Sequence, residues 1–408
     1  MKNSIWFQKN FLIIWLSQTL QTVGAILVSV VIMVEVYKLT NSVIGPSIIL
    51  TIMTLGSLLG GLSASFYIWR YELKKIINLF GWTRAVTSII LGLLIYFQPP
   101  FYFIIICFIL IFQNVVGAWY APARFSLVSQ IIHREQYVKA SGAIITVNQT
   151  VLAAGWAFGG ILTTLFPFYL MIIIISICFL LSGFLVRLID FEEEVLKQIK
   201  KQKKQLAWKL LFQNKVVLNI TCMDILEGLA NAIWSSAILL AFTNIVLKQN
   251  EAWWGFINAG YFIGAILGGL FSILISDKIK NHLGKMIALG AFSMFLTTLF
   301  FSLTTNPYLS VILCILMGPL YQIRDISQST IFQDVLPKEE RASIMAANHT
   351  IISSWTIFTY VIMGYLVELI GVQKVYIFAS FIYLLTTFLV LSLPKIRKYK
   401  INNETEII

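Results

Sequence analysis

Long, uninterrupted apolar segments recur along the whole chain and constrain its fold more than any other feature. Each runs for roughly 20 residues or more, which is enough for an α-helix to cross the ~30 Å hydrocarbon core of a bilayer. None shows the alternation typical of membrane β-strands. Hydrophobic residues make up 58% of the 408 positions and charged residues 12%, against about 45–50% and about 25% in soluble domains. We therefore predict an all-α integral membrane protein.

Twelve membrane spans are predicted, divided six and six by a polar segment. Their positions are 11–37, 43–68, 76–98, 101–122, 138–164, 166–188, 216–245, 252–276, 284–304, 308–332, 343–369 and 373–393. The first is too long for a cleavable signal peptide. The predicted domains are a bundle over 1–189, a charged linker over 190–215, a bundle over 216–393 and a tail over 394–408.

The basic residues predict the orientation. With the N-terminus inside, only Lys38, Lys248 and Lys374 of the 30 lysines and arginines fall in outer turns. Cytoplasmic loops carry an excess of basic residues, so both termini are expected in the cytoplasm and the protein in the cell membrane. Because the net charge of +12 falls between spans, it indicates topology and not a nucleic-acid partner. The lysine-rich linker is expected to be solvated and to bind anionic lipid; a regulatory partner is the alternative.

Several other classes of protein are disfavoured. All four cysteines lie within apolar runs without metal spacing, so they are expected to be small buried residues: Cys107, Cys178, Cys222 and Cys314. No phosphate-binding loop is present, which argues against ATP hydrolysis. We expect no enzymatic activity, no metal and no cofactor.

The two halves contain similar segments at an offset of about 200 residues, as expected for parallel repeats. Asn148–Val151 matches Asn348–Ile351, and Lys139–Ser141 matches Arg341–Ser343. The repeat predicts two pseudo-symmetric six-helix bundles around a central cavity.

Three motifs resemble the major facilitator superfamily, and more narrowly its drug-exporter branch, which includes macrolide efflux proteins and the enterobactin exporter. Val36–Ser42 is similar to the turn after the first span, Gly117–Arg124 to the end of the fourth, and Asp334–Arg341 to the turn before the eleventh. The resemblance covers essentially the whole chain. It implies a monomeric secondary transporter in which spans one, four, seven and ten line the cavity.

The superfamily's loop between spans two and three is only partly retained. The matching residues are Arg70, Tyr71, Lys74, Lys75 and Ile77. Trp69 replaces the acidic residue, Ser65 and Glu72 replace glycines, and the second half retains Asp277 and Lys278. The resemblance implies that the family's aspartate at this position helps to hold the two halves together on the cytoplasmic side. In this chain Glu72 is a candidate substitute for that aspartate.

A glycine pattern in the fifth span resembles the antiporter signature of exporters. The matching glycines are Gly142, Gly155, Gly159 and Gly160. Val151 and Trp156 replace another glycine and the proline. Small residues allow close helix packing, and helix packing by itself is sufficient to explain a row of glycines. In a member of this family, however, the spacing of the glycines favours an exporter.

Ionisable residues inside spans are costly and mark pathways or proton relays. Asp224 and Glu227 are three residues apart in span seven, hence on one helix face, about 12 and 17 Å from its start. Span ten carries Arg324 and Asp325 in its inner half, and Arg124 ends span four at a comparable depth.

These positions suggest proton coupling. We expect Asp224 and Glu227 to exchange protons with the cavity, because burial disfavours a charged carboxylate, while Arg324 competes with the proton. Asp325 is a weaker candidate because its neighbour Arg324 can neutralise it. The alternative is a static ion pair locking spans seven and ten.

Six residues are candidates for the substrate cavity: Arg124, Arg324, Trp234, Asn148, Asn348 and His349. Tryptophans can stack on a flat substrate but are equally explained by core packing; Trp234 is preferred because it lies two turns beyond Glu227. His349 could join the relay or simply pack beside Asn348.

The leading hypothesis is proton-coupled export of a hydrophobic or amphipathic compound, such as a macrolide-like drug or a siderophore. Small-molecule substrate, protons and membrane lipids are the expected partners. One alternative is a facilitator that imports a metabolite. The other is a degraded transporter that acts as a membrane sensor or assembly partner, which the replacement at Trp69 favours.

Overall fold

The computed structural model describes residues 5–40, 44–190 and 207–399, and within these ranges every regular element is helical. The α-helices are α1 (Lys9–Thr40), α2 (Ile44–Tyr67), α3 (Leu73–Phe97), α4 (Tyr102–Ile131), α5 (Tyr137–Leu165), α6 (Phe168–Arg187), α7 (Ala207–Gln213), α8 (Lys215–Asn231), α9 (Ser236–Ile245), α10 (Glu251–Leu274), α11 (Ser276–Lys280), α12 (Leu283–Leu303), α13 (Pro307–Val335), α14 (Arg341–Ile370), α15 (Val372–Ser392) and α16 (Pro394–Arg397). The predicted linker over 191–206, Asn41–Ser42 of the first motif and the tail beyond residue 399 lie outside the described residues.

The all-α membrane fold is confirmed. Among the described residues, 11 helices are long and apolar enough to cross a membrane. They match eleven of the twelve predicted spans; part of α5 lies outside the residues that could be searched, so the fifth predicted span stays a prediction. One predicted boundary is wrong, because α4 continues through Pro122 to Ile131. Arg124 therefore lies inside the helix and not at its end.

Span seven was predicted as continuous, and this is also wrong. Its helix ends at Asn231, a 3₁₀ turn covers Ala232–Trp234, and α9 begins at Ser236 after an extended Ser235. Backbone N–H and C=O groups that lose their helical hydrogen bonds inside a membrane need other partners within the protein. Here the Tyr376 hydroxyl donates to the Ile233 carbonyl at 2.9 Å. A neighbouring side chain thus satisfies a carbonyl within the break.

The helices form two compact units. Unit 1 comprises Met1–Ile132, Thr150–Leu210 and Leu336–Thr350; unit 2 comprises His133–Gln149, Leu211–Val335 and Ile351–Ile408. Because α5 and α14 each contribute to both units, the units differ from the linear halves of the chain. The predicted organisation into two six-helix bundles stays a prediction.

Glycines permit close contacts between helices inside each unit. In unit 2, a Cβ added to Gly264 of α10 would lie 2.3 Å from the Ile315 carbonyl oxygen of α13. In unit 1, a Cβ on Gly60 of α2 would lie 2.3 Å from the Val115 carbonyl oxygen of α4. At these positions the lack of a side chain lets the backbones of two helices come closer than any larger residue would allow.

Candidate functional site

Arg324 of α13 lies at the centre of an ion-pair cluster in unit 2. Its guanidinium is 3.2 Å from Asp224 Oδ1 and 2.6 Å from Asp325 Oδ1, and it also pairs with the carboxylate of Glu227. Asp224 and Glu227 project from α8 one turn apart. The structure therefore brings together all three predicted proton-coupling carboxylates around one predicted cavity arginine.

The position of Arg324 depends on residues that the sequence analysis did not single out. A Cβ added to Gly290 of α12 would lie 2.4 Å from the Cβ of Arg324, so only glycine leaves room for this side chain. The guanidinium also lies 5.6 Å from the ring centre of Tyr321, one turn earlier on α13. A lone glycine in an apolar span gave no signal of this role.

Burial differs sharply within the cluster. Side-chain exposure is 1% for Glu227 and 4% for Arg324 but 21% for Asp224 and 34% for Asp325. Oε1 of Glu227 is buried without a hydrogen-bond donor among the described residues. The cluster therefore extends from a sealed carboxylate to two that are partly accessible.

Two cavities adjoin the cluster. One of about 230 Å³ is lined by Asp224, Glu227 and Arg324. Another of about 290 Å³ is lined by Trp234 and Tyr261, and both cavities contact Asn231 and Tyr321.

Asn231, at the end of α8, links the cavities to the core of unit 2. Its side chain accepts a hydrogen bond from the Tyr383 hydroxyl at 2.6 Å and donates to Tyr321 Oη at 3.1 Å. Trp234 packs edge-on against Phe301 and Tyr376. The break between α8 and α9 thus places an amide and an indole at the cavity walls. Trp234 was a predicted cavity residue, whereas the break and the role of Asn231 were not predicted.

The remaining predicted cavity residues do not join this cluster. Arg124, Asn348 and His349 belong to unit 1. Asn148, on the first half of α5, belongs to unit 2 but is not among the residues lining the two cavities. Asn348 is buried and His349 exposed.

The predicted loop residues make local contacts within their units. In unit 1, Lys74 Nζ donates to the Ile189 carbonyl at 2.5 Å, and Arg70 lies over the rings of Tyr67 and Trp69.

Glu72, the candidate substitute for the missing aspartate, has a nearby partner on the same turn. Lys75 pairs with it at 2.8 Å. In unit 2, a hydrogen bond from Lys280 and the charge of that lysine lower the pKa of Asp277. No contact of Lys278 bearing on a latch is observed among the described residues.

Two glycines of the α5 pattern lie against other helices. A Cβ on Gly142 would meet Ser272 Oγ of α10 at 2.6 Å, and one on Gly155 would meet Ile26 of α1 at 2.5 Å. The surroundings of Gly159 and Gly160 lie outside what the structure describes. Within the described part of the chain, no group of three or more histidine, cysteine, aspartate or glutamate side chains could hold a metal ion.

Comparison with known proteins shows which family and which relatives this chain is similar to. The sequence profile of the Major Facilitator Superfamily matches residues 11–360. The chain is 37% identical over 400 residues to the Bacillus subtilis (strain 168) protein named Uncharacterized MFS-type transporter YjbB, covering 98% of each. It is 29% identical to the B. subtilis protein named Uncharacterized MFS-type transporter YfmI, covering 93% of this chain and 95% of that one.

Solved structures share the fold at low sequence identity. A bacterial homologue of the iron transporter ferroportin in its outward-facing state superposes with a TM-score of 0.75 at 12% identity, covering 94% of this chain and 98% of that one. The Escherichia coli fucose:proton symporter gives the same TM-score, identity and coverage.

Proposed function

The chain belongs to the Major Facilitator Superfamily, and we propose that it exports a hydrophobic or amphipathic small molecule in exchange for protons. It is a multi-pass membrane transporter of that superfamily and not an enzyme; the proposal concerns coupling ion, direction and substrate. The observation that carries it is the cluster of three carboxylates around Arg324, two of which line a cavity.

The charge balance of the cluster favours protons as the coupling ion. Asp224, Glu227 and Asp325 together carry three negative charges when ionised, and Arg324 supplies one positive charge. Charges in a membrane interior are expensive unless they are paired. Binding of a proton by one carboxylate lowers this cost, so the cluster has a physical reason to take up and release protons.

The difference in burial between Asp224 and Glu227 supports a path for the proton from the cavity to the buried carboxylate. Asp224 is partly exposed and lines the same cavity as the buried Glu227. In our proposal a proton enters at Asp224 and passes to Glu227, whose pairing with Arg324 it weakens. The guanidinium then pairs with Asp224 and Asp325. Such a change of partners couples protonation to movement of α8 against α13.

The cavity beside the cluster suits a flat amphipathic substrate. Trp234, Tyr261 and Tyr321 offer aromatic faces, and Asn231 adds a polar group. Apolar walls with a few placed polar groups are typical of small-molecule sites. Substrate in this cavity lies next to the residues proposed to carry the proton.

Helix packing supports export. Gly142, the first glycine of the exporter-like pattern, lies against Ser272 of α10 within unit 2. The pattern therefore occurs at a close helix contact, where its small residues have a steric purpose. This argument is independent of the charge cluster.

Everted membrane vesicles from a host lacking its own exporters provide the test. With a panel of fluorescent amphipathic dyes, ethidium among them, we expect respiring vesicles to accumulate dye until nigericin collapses the pH gradient. Glu227→Gln should abolish this accumulation, while Asp190→Asn, at an exposed ion pair with Lys9, should retain it. Equal accumulation by wild type and Glu227→Gln would reject the coupling role. Movement of dye in the reverse direction would indicate an importer.

Proton binding can also be measured without knowing the substrate. In purified protein, infrared difference spectra between acidic and basic pH should contain the carbonyl stretch of a protonated carboxyl group. Glu227→Gln should remove part of that band. If the band is unchanged in both Glu227→Gln and Asp224→Asn, the cluster is a static ion pair.

A further inference from the structure

Unit 1 contains two arginines inside membrane-spanning helices that have no carboxylate partner among the residues the structure describes. Arg84 lies in α3, about 16 Å from its start, and Arg124 lies in α4, about 10 Å from its end. Within the described ranges, neither guanidinium makes an ion pair with Asp or Glu, and the Nε of each is buried without a hydrogen-bond acceptor. This contrasts with Arg324, which has three carboxylates.

The two arginines belong to one polar cluster. The phenol of Tyr120, one turn before Arg124 on α4, lies near both guanidinium groups. Its ring packs 4.7 Å from that of Phe80. The guanidinium of Arg84 lies 5.1 Å from the Phe80 ring centre and 4.9 Å from that of Phe179. Two aromatic faces therefore hold Arg84 near Tyr120.

An amide on the neighbouring helix α1 is buried without a partner among the described residues. Gln21 of α1 is 3% exposed, and within the described part of the chain neither its Nε2 nor its Oε1 has a hydrogen-bond partner. One turn earlier, Gln18 Oε1 accepts from the Tyr120 hydroxyl at 2.6 Å. One turn later, a Cβ on Gly24 would lie 2.6 Å from the Phe179 ring. Residues three apart are neighbours on a helix surface, so Gln21 is flanked along α1 by Gln18, which contacts Tyr120, and by Gly24, which contacts Phe179.

The cluster therefore has an excess of hydrogen-bond donors and of positive charge. Contacts with aromatic rings stabilise a cation only modestly and do not neutralise it. A buried amide without a partner costs free energy as well. An anion that accepts hydrogen bonds from the two guanidinium groups and from Gln21 Nε2 would give these donors a shared acceptor.

We propose that Arg84, Arg124 and Gln21 form a binding site for a compact anionic group. The group is either the carboxylate of an organic molecule or an inorganic anion such as chloride. The site lies in unit 1 and shares no residue with the carboxylate cluster of unit 2, and the proposal does not depend on proton coupling.

The test uses purified full-length protein in detergent at low ionic strength. Benzoate is the organic probe, chloride the inorganic probe, and benzamide the neutral analogue of benzoate. We expect an anion to raise the midpoint of thermal unfolding saturably, and benzamide to have no effect. Arg84→Gln and Arg124→Gln should weaken the apparent anion affinity about ten-fold or more, as expected for loss of a charged hydrogen bond.

Arg187→Gln is the matched control. Arg187 also lies over an aromatic ring, that of Trp82, at 4.9 Å, but it is at the exposed end of α6. Its replacement should leave the anion effect unchanged. Gln21→Leu, which removes the amide without altering charge, gives a second variant if an arginine replacement fails to fold.

Each outcome is decisive. If benzoate raises the unfolding midpoint at a lower saturating concentration than chloride, the ligand is an organic carboxylate. If chloride saturates at an equal or lower concentration, the ligand is an inorganic anion. No stabilisation by either anion overturns the proposal. So does an effect that Arg84→Gln, Arg124→Gln and Gln21→Leu all leave unchanged. Because unfolding is measured without transport, failure here is distinguishable from failure of the proposed export.

Discussion

Glu227 of α8 and Arg324 of α13 form an ion pair in which both side chains are almost completely buried, at 1% and 4% exposure. Burial of such a pair costs desolvation that good geometry only partly offsets, whereas removal of one partner leaves an unpaired charge in an apolar interior. The pair is therefore a sensitive point for both stability and function.

The first prediction concerns this pair. Arg324→Leu should destabilise the protein by about 3–5 kcal/mol, because the buried Glu227 loses its counter-charge. The double variant Arg324→Leu with Glu227→Leu should recover part of that loss. Chemical unfolding of purified protein in micelles is the measurement, with Lys9→Gln, at an exposed position, as a surface control expected to change stability by less than about 0.5 kcal/mol. No recovery in the double variant would show that the two residues do not interact energetically.

The second prediction separates the two accessible carboxylates. Asp224→Asn should abolish transport driven by a pH gradient, because Asp224 lines the cavity with Glu227. Asp325→Asn should retain most of it, because Asp325 is not among the residues lining either cavity and pairs with its own neighbour, Arg324. The measurement is dye accumulation in everted vesicles at matched expression. Loss of transport in Asp325→Asn, with transport retained in Asp224→Asn, would show that the proton path runs through Asp325.

The third prediction concerns helix packing in unit 2. Gly264→Val should destabilise the protein by about 1–3 kcal/mol, the usual cost of overpacking, because its Cβ would clash with the Ile315 carbonyl at 2.3 Å. Gly255→Val on the same helix should cost less, since nothing lies within 4 Å of a Cβ there. The midpoints of thermal unfolding compare the two variants. Equal losses would mean that valine acts through helix propensity and not through the contact.

The fourth prediction concerns the short helix α7, which begins after the charged linker. Trp208 Nε1 donates to Ser65 Oγ of α2 at 3.1 Å, and its ring lies 6.4 Å from that of Phe66. Trp208→Ala should release α7 and accelerate hydrogen–deuterium exchange of its amides, with Trp208→Phe intermediate. Trp253→Phe, in unit 2, is the control. Unchanged exchange in Trp208→Ala would show that other contacts hold α7.

The fifth prediction concerns pH. Burial of the phenol, together with the neighbouring Asp334 carboxylate, raises the pKa of Tyr399 above its ordinary value. Its hydroxyl donates to Asp334 Oδ2 at 2.8 Å. A raised pKa in the folded state contributes stability that is present below the unfolded pKa and lost as the pH rises through the folded value. Tyr399→Phe should thus flatten the alkaline fall in unfolding midpoint, whereas Tyr96→Phe, at an exposed site, should not.

Much of the fold was predictable because lipid leaves the backbone few options. A long apolar segment in a bilayer has to form a helix, so the spans could be placed from composition alone, mostly to within a few residues. The errors came where the helix itself is irregular or extends past the apolar run. Pro122 does not end α4, and span seven breaks at Ala232–Trp234 in a sequence without proline.

Part of the candidate site was predictable for a similar reason. Charged residues in an apolar run stand out, so Asp224, Glu227, Arg324 and Asp325 were all identified. Their helical spacing placed the two α8 carboxylates on one face, but spacing within one helix says nothing about which neighbouring helix that face meets. The pairing with Arg324 therefore required the tertiary structure.

The sequence by itself determined the class of protein, the positions of most spans and the residues whose charge is costly in a membrane, because these follow from local composition and the solvent. The tertiary structure alone decided which charges are paired and which are not. Arg324 meets three carboxylates, whereas Arg84 and Arg124 meet none among the described residues. That difference depends on contacts between helices distant in the chain, and glycines such as Gly290 permit them by their lack of a side chain.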